Sequence, residues 1–350
     1  MPRTIRPSKV LATAALAALL CACAPDSVGA SPNDEELRPC APAGTPPTLP
    51  FPAAKTVAPS DLSTSIVQKV DGDPQIQCGR AELTTHSDVV YSSPGAAPLT
   101  LDVITPATPD LKPLIVYVPG GGFVQADKSG ALNLRTYVAE AGYVLASIHY
   151  RTVSDGARYV DGLADVKSAI RFLRAHAAEY GIDPTEVALW GESAGGYLAA
   201  MTALTTGRSE LDVGANLDQS SAVSAVVDKF GPSDMSRLGA DFDAETASAL
   251  ASPQFVSHQY FADAPAGAAN PMTYVSPGDV PFLFLHGNDD RLVSPSQTLL
   301  LHNALRAAGV NSTRYVIDGA GHGDLGGQPQ LWSTTTVMDD LVGFLKAHLG

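Results

Sequence analysis

Between residues 114 and 348 short apolar runs alternate with helix-length amphipathic stretches, and few folds accommodate that rhythm. The runs 114–118 (Leu-Ile-Val-Tyr-Val), 143–149, 187–190, 222–227, 281–285 and 313–317 are too short for buried helices and are mostly apolar along their length. Strands of this kind are covered on both faces, which requires a mostly parallel central sheet with helices on each side. Helices are expected at 132–141, at 160–180, from Ala194 onward, at 296–308 and at 331–348. In the second of these Leu163, Val166, Ile170, Leu173 and Ala177 recur at spacings of three and four, while Asp165, Arg171 and Arg174 lie off the stripe. One face is therefore expected on the sheet and the other in water. Right-handed crossovers make the whole an α/β three-layer sandwich. Two β-rich runs, 81–91 and 98–104, give it a hairpin-like start.

One stretch breaks the rhythm. Residues 231–277 have weak periodicity but carry Phe242, Phe255, Tyr260, Phe261 and Tyr274. An insertion of this length is expected to be a lid or pocket wall, the alternative being a peripheral helical excursion. It precedes the strand expected at 281–285.

The chain begins differently. A basic start (Arg3, Arg6, Lys9), an apolar run over 10–20 and then small residues follow the plan of a secretory signal, too short to span a bilayer comfortably. Leu20-Cys21-Ala22-Cys23 resembles a bacterial lipoprotein cleavage box, with Cys23 as the residue to be lipidated; a plain signal-peptidase cut is the alternative. The expected organisation is a signal segment over 1–22, a Pro-, Ala-, Ser- and Thr-rich linker over 23–60 and a catalytic domain over 61–350, outside the cytoplasm as a lipid-anchored or secreted bacterial protein. In that oxidising setting Cys40 and Cys78 are candidates for a disulfide. The formal charge is -14, and loss of the three basic residues would leave -17 (-14 - 3). Such a surface repels phosphate backbones, which argues against a nucleic-acid partner.

The chemistry starts at 191–195, Gly-Glu-Ser-Ala-Gly, placed between an expected strand and an expected helix. Strand, Gly-x-Ser-x-Gly, helix is a sharp turn that lifts a serine oxygen above the sheet. A side chain at Gly191 or Gly195 would clash with the neighbouring strand or helix. Ser193 needs a base, and of the eight histidines His322 lies in a glycine-rich loop between the last expected strand and the last helix. His149 ends a strand, His176 lies within a helix, His348 is near the end of the chain, and His286 is expected to shape the turn after its strand. The base needs a carboxylate to fix its tautomer. Asp290 follows the 281–285 strand; Asp289 beside it is chemically equivalent, and Asp318 is expected to cap a loop. The order Ser193, Asp290, His322 fits this fold. Backbone donors for an oxyanion are expected from 119–123 (Pro-Gly-Gly-Gly-Phe) and from the N–H of Ala194.

Taken with 149–151 (His-Tyr-Arg), 181–184 (Gly-Ile-Asp-Pro), 286–293 and 320–323, these motifs resemble the alpha/beta-hydrolase esterases of the hormone-sensitive-lipase and bacterial feruloyl-esterase-like (BD-FAE) group, over roughly residues 85–350. The resemblance implies Ser193 as nucleophile, Asp290 rather than Asp289 as acid, His322 as base, and Gly121, Gly122 and Ala194 as oxyanion donors. It implies hydrolysis of carboxylic esters, often with short acyl chains, without metal or organic cofactor. The ester could be a small molecule or be linked to a polysaccharide. Pro119 stands where many members carry histidine, a variant of the feruloyl-esterase-like branch. A serine peptidase of the same fold would be expected to have an aromatic residue after the serine, where this chain has Ala194. A non-catalytic binding protein of this fold would be expected to lack one of the three residues.

Overall fold

A computed structural model describes residues 37–41, 53–95, 97–252, 254–255 and 257–349. The expected signal segment with Cys23 and most of the expected linker lie outside these residues. The elements in chain order are β1 (Arg38–Pro39), β2 (Ile66–Gln68), β3 (Gln77–Cys78), β4 (Leu83–Ser92), β5 (Leu99–Pro106), β6 (Lys112–Val118), α1 (Leu132–Glu140), β7 (Val144–Ile148), α2 (Tyr159–Ala175), α3 (Ala177–Tyr180), β8 (Ile182–Glu192) and α4 (Ala194–Leu204). They continue as β9 (Ala225–Lys229), α5 (Ala244–Ala251), α6 (Ser257–Tyr260), β10 (Phe282–Gly287), α7 (Ser296–Ala307), β11 (Ser312–Ile317) and α8 (Thr335–Leu349).

Nine strands form one sheet in the order β2-β11-β10-β9-β8-β6-β7-β5-β4. The pairs from β7 through β6, β8, β9, β10 and β11 to β2 are parallel, and only β4 with β5 and β5 with β7 are antiparallel. The fold is that of an alpha/beta hydrolase. Successive residues of β6 serve opposite cores: Leu114, Val116 and Val118 pack with α2 and α4, Ile115 and Tyr117 with α1 and α8. Burial on both faces is why the strand shows no polar alternation.

Helix α2 departs from its expected amphipathicity, since Asp165 is 2% and Arg171 1% exposed. Neighbouring chain covers the face expected in water and supplies partners there. Arg151 donates from Nε and Nη2 to the Asp165 carboxylate at 2.9 and 2.8 Å, and Arg171 Nη1 donates to the Val213 carbonyl at 3.0 Å. Lys167, also on this helix, is fully buried and donates to the Thr205 carbonyl at 3.1 Å; burial lowers its pKa to about 8. Buried charges persist where such partners compensate their desolvation.

Other boundaries shift as well. The helix expected over 160–180 divides at His176, and the last one begins at Thr335 after a separate turn over Pro329–Ser333. The strand expected at 222–227 is β9, which ends on the buried pair Asp228 and Lys229. The end of the expected linker is docked on the domain: Ala54 is buried and donates its N–H to the Arg291 carbonyl at 2.8 Å, and Val57 bridges Phe242 of the insertion. Cys40 and Cys78 form a disulfide with a Cα–Cα distance of 4.8 Å, beside the antiparallel pairing of β1 with β3. Among the described residues no helix is long and apolar enough to cross a membrane.

Candidate active site

Ser193 occupies the turn between β8 and α4 with φ 54° and ψ -119°, a backbone region that side-chain-bearing residues rarely adopt. Close packing holds it there. A Cβ on Gly191 would lie 2.2 Å from the Gly195 carbonyl oxygen, and one on Gly195 would lie 2.0 Å from that of Val118 on β6. Any larger residue at either position would separate strand from helix and release the turn.

The loop after β11 brings His322 over this serine, with His322 Nε2 2.8 Å from Ser193 Oγ. His322 Nδ1 lies 2.7 Å from Asp290 Oδ2, in the loop after β10. Ser193, Asp290 and His322 are 9%, 0% and 4% exposed, so the chain of contacts is shielded from competing water. The remaining Asp290 oxygen accepts the N–H groups of Leu292 and Val293, each at 2.9 Å. Burial by itself would raise the Asp290 carboxyl. The facing His322 and His286, through charge and hydrogen bonds, outweigh burial and hold it well below the usual carboxylate range. Phe230 packs its ring against the His322 imidazole, centroids 4.3 Å apart, and Trp332 Nε1 donates to the Gly321 carbonyl at 3.3 Å to fix the loop behind it.

The competing candidates lie elsewhere. Asp289 is paired with Arg291 at 2.9 Å, and Asp318, after β11, accepts from Asn288 Nδ2 of the loop after β10 at 2.7 Å. His176, at the break between α2 and α3, has its Nδ1 2.8 Å from the Phe172 carbonyl. His286 is different: its Nε2 lies 3.2 Å from the same Asp290 Oδ2 that His322 approaches. Sequence reasoning gave it only a turn-shaping role. The available signal was its spacing, four residues before Asp290 across a tight turn.

Gly122 and Ala194 both line the pocket in front of Ser193. Gly121, at φ 145°, turns the chain one residue earlier, and its carbonyl accepts from the N–H groups of Val124 and Gln125. The insertion reaches this loop directly. Ser257 Oγ donates to the Gly122 carbonyl at 3.0 Å, and Tyr260 stacks on Phe123 with centroids 5.0 Å apart. Pro232, Leu238, Leu250 and Phe255 complete the wall, so residues 231–277 supply much of the pocket. The pocket is a cavity of about 40 Å³, and among the described residues His322 is its only ionisable lining residue. Among the described residues no three His, Cys, Asp or Glu side chains are grouped to hold a metal ion.

This arrangement is the geometry for acyl transfer: a hydroxyl on a strained turn, an imidazole in reach of its proton, a carboxylate fixing the imidazole, and Gly122 and Ala194 lining the pocket beside it. Known proteins with related sequences and structures agree with that reading of the fold. Esterase LipQ of Mycobacterium tuberculosis is 32% identical over 240 residues, 65% of this chain and 54% of that protein. The probable carboxylic ester hydrolase LipM of the same organism is 32% identical over 191 residues, 53% of this chain and 43% of its own. The chain thus spans about half the length of these curated relatives. Among solved structures, propionate-bound esterase 2 of Thermogutta terrifontis matches with a TM-score of 0.61 and 27% identity, covering 76% of this chain and 94% of that one. A truncated carbohydrate esterase from gut microbiota matches with a TM-score of 0.60 and 26% identity over 77% of this chain and 96% of its own. The BD-FAE family profile matches residues 101–305, more than half of the sequence. The chain belongs to the BD-FAE family of alpha/beta hydrolases.

Proposed function

We propose that the protein is a serine carboxylesterase working through an acyl-enzyme on Ser193. The observation that carries the proposal is the unbroken contact chain Ser193 Oγ, His322 Nε2, His322 Nδ1, Asp290 Oδ2, with steps of 2.8 and 2.7 Å, at the mouth of an apolar pocket. Ser193 Oγ attacks the ester carbonyl carbon while His322 Nε2 takes its proton. The N–H groups of Gly121, Gly122 and Ala194 stabilise the oxyanion as the C=O bond opens. Collapse breaks the ester C–O bond, and His322 returns the proton to the departing alcohol. Water then attacks the acyl-enzyme with His322 as base, releasing the acid and free Ser193. Asp290 keeps the His322 proton on Nδ1 throughout and balances the imidazolium charge.

The pocket supports a neutral, short acyl or aryl group, because its lining is apolar and its volume small. Relatives point the same way: Thermogutta terrifontis esterase 2 is known with propionate and with butyrate bound, and a chlorogenic acid esterase of Aspergillus niger is 29% identical over 125 residues. The alcohol side is open to small-molecule or polysaccharide-linked esters. We further propose that the enzyme is exported by the segment 1–22 and tethered through a lipid on Cys23; labelling with a radioactive fatty acid, lost in Cys23→Ser, tests the tether. For the enzyme itself, kcat/KM is measured on p-nitrophenyl esters of increasing acyl length and on a feruloyl ester. The proposal expects a maximum at short acyl or aryl groups; a maximum at long-chain esters would refute the pocket argument.

A further inference from the structure

His286 and Arg314 are buried ionisable groups to which the proposed mechanism assigns no role. His286 is fully buried at the end of β10, and Thr298 of α7 and Arg314 of β11 are 0% and 1% exposed. Arg314 Nε donates to Thr298 Oγ1 at 3.1 Å, Nη2 to the Pro295 carbonyl at 2.7 Å, and Nη1 to Ser65 Oγ at 2.6 Å. A guanidinium can only donate, so Thr298 Oγ1 receives there and must send its own proton elsewhere. Its near acceptor is His286 Nδ1 at 2.8 Å; the Pro295 carbonyl, at 3.5 Å, is too far for a good bond. His286 Nδ1 is then unprotonated, and the neutral ring carries its proton on Nε2. That proton faces Asp290 Oδ2 at 3.2 Å and the Val293 carbonyl at 3.1 Å.

We propose that His286, its tautomer set by Thr298 and Arg314, is a positioning residue for Asp290: it donates to the same oxygen that holds His322 and thereby fixes both where that oxygen points and how strongly it draws the His322 proton. The inference rests on the triad reading above. With His286 in place, one Asp290 oxygen accepts two backbone N–H groups and the other lies 2.7 Å from His322 Nδ1 and 3.2 Å from His286 Nε2, so donor groups face the carboxylate on both sides and it has little reason to rotate. A neutral His286 is also what burial favours, since desolvation lowers its pKa. The charged or titratable groups around this relay are Asp290 and His322 from the two loops, Arg314 from β11, and His302 further along α7, held by Ser312 and the Thr64 carbonyl. Asp241 of the insertion approaches the same loop through the hydroxyls of Ser294 and Ser296.

The test compares His286→Asn with His286→Gln. The Gln amide places a donor near the position of Nε2, whereas the Asn amide reaches only the Nδ1 position and leaves Asp290 one donor short. Without that donor Asp290 is a stronger acceptor and holds the His322 proton more tightly. The acidic limb of the kcat/KM profile of His286→Asn is therefore expected at higher pH than in the parent, with kcat lowered about tenfold and KM changed little. His286→Gln is expected within about threefold of the parent, with an unmoved limb, since it restores the lost bond. Equal impairment of both variants, or a His286→Asn variant with parental limb and kcat, overturns the proposal. If neither variant folds, Thr298→Val against Thr298→Ser decides the same question: the valine variant must show the higher limb and the serine variant must not. Failure of the triad reading looks different, because a Ser193→Ala protein would then still hydrolyse the ester.

Discussion

Replacing Asp290 by Asn removes a charge without removing volume, and the surrounding donors dictate how the amide must sit. Two backbone N–H groups, of Leu292 and Val293, point at one oxygen from 2.9 Å, so the amide oxygen is held there and the NH₂ is turned toward His322. An NH₂ facing Nδ1 from about the present 2.7 Å donates to it, which forces the His322 proton onto Nε2. Nε2 then donates toward Ser193 and cannot take its proton. This tautomer inversion costs about 10⁴-fold in kcat in enzymes with this triad, equivalent to about 5 kcal/mol of transition-state stabilisation. KM should change little because Asp290 does not line the pocket. The assay is steady-state hydrolysis of p-nitrophenyl acetate by protein shown folded by circular dichroism. A folded Asp290→Asn variant retaining more than a tenth of parental kcat would refute the reasoning, and full activity loss in Asp289→Asn instead would move the acid to its neighbour.

Three further perturbations probe the oxyanion loop, a buried carboxyl and the disulfide. Ser257→Ala deletes the hydroxyl that pins the Gly122 carbonyl, and loss of one such bond, about 1 kcal/mol, should lower kcat about fivefold in the same assay. Asp228 is fully buried with one oxygen unpartnered, and burial raises its pKa from the ordinary 3.8 to about 7. The unfolded chain releases this proton near pH 4 while the folded one keeps it, so stability falls as pH rises from about 4 to 7, by about 4 kcal/mol in all. The melting-temperature difference between Asp228→Asn and the parent should therefore shift in favour of the variant between pH 4 and 8; a constant difference would exclude an ionising Asp228. Removing the disulfide with Cys40→Ser and Cys78→Ser frees a crosslink across 38 residues and should cost at most about 4 kcal/mol, read as a lower melting temperature with turnover kept.

The parts of the molecule legible in the sequence were those governed by local rules. Strands such as 114–118, apolar on both sides, announced their burial, and Gly191, Ser193 and Gly195 announced a turn that only small flanking residues permit. Helix α2 was misread in part because periodicity records side-chain polarity and not the partners tertiary structure supplies: Asp165 is polar and buried because Arg151 lies 14 positions away in sequence but against it in space. The same limit hid the end of β9, where Asp228 and Lys229 are charged and buried, and the docking of 53–58 onto the insertion. At the site, Asp290 and Asp289 were indistinguishable by chemistry, and only loop geometry turns one inward and pairs the other with Arg291. His286 was missed as a neighbour of the acid because its role depends on Thr298 and Arg314, which arrive from two other elements.

Covalent labelling decides whether Ser193 is the nucleophile. The purified protein is treated with an aryl-leaving-group alkylphosphonate, and the intact mass, the modified peptide and the residual esterase activity are followed together. One adduct per chain is expected, on the peptide containing Ser193, with activity lost in proportion and no adduct in Ser193→Ala. An adduct on another residue, or hydrolysis by Ser193→Ala at the parental rate, would contradict it.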